Sequence, residues 1–174
     1  MSEEASAPAA APTPAPAPAI ASQADFVAAL RWGFDTAIVQ GARQISCVAP
    51  SFEIWPWSDA DLLRALTDWL RLPQRRLVLL AAAYDDVPRF HPRFVAWRRD
   101  WAHAMSFWQA PAEMAAELPT LLLDDRAVSV HLADATHWRG RALVDLRAAH
   151  LWRERVDAVL QRSETAFAVN TLGL

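Results

Sequence analysis

The stretch Leu118–Leu132, LPTLLLDDRAVSVHL, decides how this chain is read. Thr120–Leu123 is an apolar run, Asp124 and Asp125 are turn formers, and Ala127–Leu132 alternates apolar with polar residues. Period-two alternation on one side of two aspartates is the pattern of a β-hairpin. Everything before it has the rhythm of helices feeding strands, so the hairpin closes a sheet begun upstream.

Working back from the hairpin, Phe26, Leu30, Phe34 and Ile38 recur every four residues and define one face of a helix over Ala24–Gln40. Ser22 with Asp25 caps its start, and Gly41 ends it. A strand follows over Gln44–Ala49. Ser51–Trp57 reads as a loop. Ser58 opens a second helix, whose buried stripe is Leu62, Leu63, Leu66, Trp69 and Leu70, closed by Pro73. Arg76–Ala82 is continuously apolar after its first residue, as in a strand covered on both faces.

Beyond it, Tyr84–His91 is a loop, Pro92–Ala102 a third helix and His103–Gln109 a third strand. Ala112–Glu117 forms a short helical turn. After the hairpin, 133–142 reads as a loop, Leu143–Arg162 as a long helix, and Ser163–Leu174 as an apolar tail that packs back. This order predicts an α/β fold: a three-layer mixed sheet with helices on both faces, its first strands parallel and its later ones antiparallel.

Residues 1–21 hold five prolines and almost no large apolar side chain, and are expected to be a disordered Pro/Ala-rich tail. Residues 22–174 form a single domain. The tail begins acidic, without the basic and apolar regions of a signal peptide, and no stretch is apolar enough to span a bilayer. A cytoplasmic protein is expected, with no membrane partner.

All 17 cationic side chains are arginine. Schiff-base chemistry, a phosphate-binding P-loop lysine and lysine general bases are therefore excluded. One cysteine, Cys47, excludes an internal disulfide; its place inside a strand reads as core.

The helix–strand units RWGFDTAIVQGARQISCV and LLRALTDWLRLPQRRLVLLA, followed by LLLDDRAVSVHL, resemble one half of a phospholipase D-like domain over roughly residues 24–165. The chain is also similar to proteobacterial proteins carrying that fold in degenerate form. The resemblance implies a motif H-x-K-x4-D at the hairpin. With Asp125 as its acid, Leu118 stands at the histidine and Thr120 at the lysine. With Asp124, Glu117 and Pro119 stand there. The resemblance thus implies a domain without that family's catalytic residues or a cofactor. It implies an interaction or regulatory module, paired as a homodimer or with a protein partner.

Other constellations carry alternatives. Ser51, Glu53, Asp85 and His91, with Tyr84 and Asp86, follow the first two strands and gather at the carboxyl edge of the sheet, where open α/β sheets bind ligands. An enzyme of another class would use these carboxylates and the histidine. Arg89–Trp108 interleaves Arg89, Arg93, Arg98 and Arg99 with Phe90, Phe94, Trp97, Trp101 and Trp108, a composition suited to single-stranded nucleic acid. The net charge of −3 weighs against nucleic acid as a partner. His131, Asp134 and His137 have metal-ligand chemistry but no fixed third and fourth ligand, so no metal is assigned.

Overall fold

The computed structural model describes residues 13–167. Seven strands form one mixed sheet: β1 (Gln44–Ala49), β2 (Arg76–Ala81), β3 (Met105–Gln109), β4 (Thr120–Asp124), β5 (Val128–Asp134), β6 (Arg139–Val144) and β7 (Glu164–Thr165). Their order across the sheet is β6-β5-β4-β1-β2-β3-β7. The first three are mutually parallel, and β4, β5 and β6 run antiparallel to their neighbours. The fold is α/β with a mixed sheet, as the order of elements predicts.

Side-chain alternation sends β residues into two separate cores. Ile45, Cys47, Leu77, Leu79, Leu122 and Val130 belong to the first, with Phe26, Leu30 and Phe34 of α1 (Gln23–Val39) and Leu62, Leu66 and Trp69 of α2 (Ala60–Leu70). Val48, Leu80, Leu121 and Leu123 belong to the second, with Ala149 and Val156 of α5 (Leu146–Leu160). Because both faces are covered, strands such as RLVLLA carry no polar side. Gly33 allows α1 to lie close on the sheet: a Cβ there would sit 2.9 Å from Val130 Cγ2 and 3.0 Å from Leu122 Cδ2.

The largest buried side chains include Trp55, Trp57, Phe52 and Phe94. Trp55 and Trp57 stack at 5.9 Å, and Trp57 meets Phe94 at 4.7 Å. The segment 51–57 is thus a plug on the core rather than a solvated loop. Truncating such a ring to alanine costs about 3–5 kcal/mol.

Four expectations change. The Tyr84–His91 loop contains a short helix, α3 (Asp86–Phe90), and the third helix is shorter than expected, α4 (Pro92–Trp97), giving way to turns before β3. The 133–142 loop holds most of β6, an edge strand whose two arginines and glycine mask the alternation. The last helix starts at Leu146, because the Asp145 carboxylate caps it by accepting from Ala148 N at 2.7 Å.

The tail departs from expectation as well. Residues 1–12 lie outside the described residues, but 13–20 are not free chain: the Trp32 indole donates to the Ala15 carbonyl at 2.7 Å, and Ile20 is buried and pairs with Gly140. Ile20 is the one large apolar side chain of that stretch, and it is what docks. At the other end β7 pairs with β3, and Phe167 stacks on Tyr84 at 5.2 Å, so the tail packs back as far as it is described; 168–174 lie outside.

The hairpin turn rests on Asp124. Its buried Oδ1 accepts from Arg126 N at 3.0 Å and Val128 N at 2.8 Å, while Asp125 accepts from Arg43 N at 3.0 Å. Burial is the largest influence on Asp124 and raises its pKa above the usual carboxylate value. The folded state therefore holds this proton more tightly than the unfolded chain, and stability contributed by the group falls as pH rises through the folded pKa. Asp124→Asn, which keeps the Oδ1 acceptor, is expected to match or exceed the parent at pH 7, with the difference shrinking toward pH 4. Asp124→Ala should lose about 2–3 kcal/mol. Thermal unfolding at both pH values checks this, and an equal loss in both variants would show that the charge matters rather than the acceptor.

Candidate nucleic-acid interface

The residues expected at the carboxyl edge do not form one site. His91 is buried; its Nδ1 lies 2.9 Å from Ser58 Oγ, and its Nε2 lies 2.8 Å from the Phe52 carbonyl and 3.0 Å from that of Glu53. Both ring nitrogens are engaged in tying the aromatic plug to α4. Ser51 Oγ accepts from Glu53 N at 3.2 Å and approaches Asp86 Oδ2 at 3.4 Å, a loop brace of the same kind. Asp85 stands apart, lining an open hollow with Tyr84, Pro88, Gln109, Ala166 and Phe167.

The arginine–aromatic segment 89–108 is also largely consumed by the fold. Phe94 is fully buried, and the Trp97 indole donates to Thr67 Oγ1 at 2.8 Å. Arg98 is buried, its guanidinium 3.6 Å from the centre of the Phe167 ring and 5.1 Å from that of Phe107. What remains at the surface is Arg89 over the exposed ring of Phe90 at 5.2 Å, together with Arg93 and Arg99. The three residues with metal-ligand chemistry are divided. Asp134 caps its own turn, accepting from Thr136 N and His137 N and lying 2.8 Å from His137 Nδ1, whereas His131 faces α5. Among the described residues no group of three such side chains could hold a metal ion.

The groove that the structure does form lies on the α5 side of the sheet. It encloses about 460 Å³, within the range of small-ligand clefts. Val48 and Leu80, near the carboxyl ends of β1 and β2, contribute to its lining, as do Leu118, Val156 and Val159. Its polar members are Glu117, Thr120, His131 and Arg155, and Trp152 completes the wall. The His131 and Trp152 rings lie 4.4 Å apart, and the Arg155 guanidinium sits 5.1 Å from the Trp152 ring centre. Burial first, and then the Arg155 charge, push the His131 pKa down, so the imidazole is neutral at pH 7 and offers one donor and one acceptor.

Across β5 and β6, His131 is paired with Arg141 and Asp134 with Arg139. Paired residues share a face, so Arg141 extends the His131–Trp152–Arg155 row toward the sheet edge. Among the described residues Arg139, Arg141 and Arg155 make no ion pair, whereas Arg31, Arg64, Arg71 and Arg162 are each matched with a carboxylate. From Arg126 to Arg155 six arginines face only Asp134, Asp145 and Glu154, so the chain's negative balance lies elsewhere. Sequence reasoning missed this site because its parts come from six separated segments. The signal available was the local excess of arginine around Trp138 and Trp152.

No protein-family model and no curated protein matches the chain. Its fold is similar to the solved structure of TrmBL2, an archaeal chromatin protein that shows a novel mode of DNA binding. The TM-score is 0.50 at 12% sequence identity, over 76% of this chain and 49% of TrmBL2. The likeness is one of fold, and it spans about half of that protein.

This finding corrects two expectations. One was a non-catalytic phospholipase D-like interaction or regulatory module. The other was a homodimer or protein partner, with nucleic acid set aside. The protein sharing the fold binds DNA, and none of the comparisons points to phospholipase D. A net charge of −3 is an average over the whole sequence and does not describe any one face.

The brace at His91 is testable. His91→Ala strips hydrogen bonds from the Ser58 hydroxyl, from the buried Phe52 carbonyl and from the part-buried Glu53 carbonyl, and is expected to cost about 2–4 kcal/mol in urea unfolding. A change below about 0.5 kcal/mol would mean the ring is not a structural tie.

Proposed function

We propose that this domain binds nucleic acid through the face built from β5, β6 and α5. The observation that carries the reading is the row Arg141, His131, Trp152, Arg155: unpaired guanidinium groups flanking a half-exposed indole beside an open groove. Arginines without carboxylate partners attract phosphate, and an indole among them supplies a stacking surface. The likeness in fold to a DNA-binding chromatin protein supports the same reading. No helix among the described residues is long and apolar enough to cross a membrane, and the reading places the protein in the cytoplasm with its nucleic acid.

A second surface has one observation in its favour, the exposed Arg89–Phe90 pair with Arg93 and Arg99 close in sequence. Its remaining aromatics are engaged in the core, which ranks it below the α5 face.

Affinity for a labelled oligonucleotide, measured by fluorescence anisotropy across a salt series, separates the two. The parent is expected to bind in the micromolar range, weakening steeply with salt. Arg141→Gln with Arg155→Gln should lower affinity about tenfold or more and flatten the log–log salt slope by roughly 1.4, two phosphate contacts on a single strand. Arg89→Gln with Arg99→Gln should have the smaller effect. The reverse ranking would move the site to α3–α4, and no binding at low salt would end the reading.

A further inference from the structure

The groove has features that a phosphate-binding surface alone does not need. We infer that it receives one unpaired base, which makes the domain a reader of unpaired rather than fully duplex nucleic acid; this rests on the nucleic-acid reading above. Three observations on the page argue for a base as the guest.

Size is the first. About 460 Å³ is several times what a single phosphate fills and suits a heterocycle with part of its sugar. The second is the lining. Val48, Leu80, Leu118, Val156 and Val159 give apolar walls, and Trp152 presents an aromatic ring, a surface for a flat ring rather than for an ion. The third is the mixed sign of the charged groups, Glu117 standing in the lining together with Arg155. Glu117 lines the groove, and a carboxylate repels a phosphate but accepts hydrogen bonds from amino and imino groups of a base. His131 adds a ring whose nitrogens have no hydrogen-bond partner among the described residues. Phosphates are then left to Arg139 and Arg141, beside the groove on β6.

A base inside a duplex cannot reach such a groove without leaving the stack, a cost that a single strand does not bear. The inference therefore predicts discrimination by base accessibility, at equal charge against an abasic strand and against the doubled phosphate charge of a duplex. The full chain would be titrated at low salt with three labelled probes: a single-stranded 15-mer, a blunt duplex of the same sequence, and a 15-mer of abasic deoxyribose phosphates.

The 15-mer is expected to bind about tenfold or more tighter than either of the others. Val159→Phe, which fills the groove from α5, should bring its affinity down toward that of the abasic strand. The comparison among probes uses the unmodified chain, so it stands even if the variant does not fold. Equal affinity for all three probes overturns the base-receiving groove and leaves nucleic-acid binding in place. Failure to bind any probe overturns both.

Discussion

A buried carboxylate holds the point at which this sheet changes direction. β1 is paired in parallel with β2 on one side and antiparallel with β4 on the other. The antiparallel half continues only because the chain reverses tightly between β4 and β5. Asp124 makes that reversal by accepting two backbone N–H groups, that of Arg126 at the turn and the buried one of Val128, which would otherwise be unsatisfied. Its second oxygen, Oδ2, is buried without a partner, so the acceptor function is retained at the expense of a poorly solvated charge. His131 on β5 and the edge strand β6 lie downstream of this turn and inherit their register from it.

The parts of the fold legible in the sequence are those where one local rule acts alone. Gln44–Ala49 and the apolar body of Arg76–Ala82 announce strands because burial on both faces excludes polar residues. The spacing of Phe26, Leu30 and Phe34 announces a helix. β6 was not legible: at a sheet edge Arg139 and Arg141 need no burial, and the strand is specified by its partner β5 rather than by its own composition. The same holds for Arg89–Trp108, where the sequence shows arginines and aromatic rings but not which of them the core takes. Trp97 and Arg98 are adjacent, and both are engaged internally, one by Thr67 and the other by Phe167.

The candidate site was the least legible element, for a related reason. Glu117, His131, Trp152 and Arg155 are ordinary residues in their own segments, and only packing of α5 across β4 and β5 brings them to one groove. The stretch opening the sequence reading does contribute to it. Leu118, Pro119 and Thr120 line the groove as well, so the positions where the resemblance placed a catalytic histidine and lysine face a cavity lined by other chemistry. The hairpin is thus both the frame of the antiparallel half and one wall of the site.

Both margins of the sheet carry a short covering segment. Ile20 pairs with Gly140 on β6, and the two residues of β7 pair with β3. Open strand margins invite a further strand, from another copy or from an extended peptide, through backbone hydrogen bonding. Here the chain's own ends occupy part of those positions. Strand addition is thereby obstructed where these segments pair, at Gly140 on one flank and at Trp108 and Gln109 on the other.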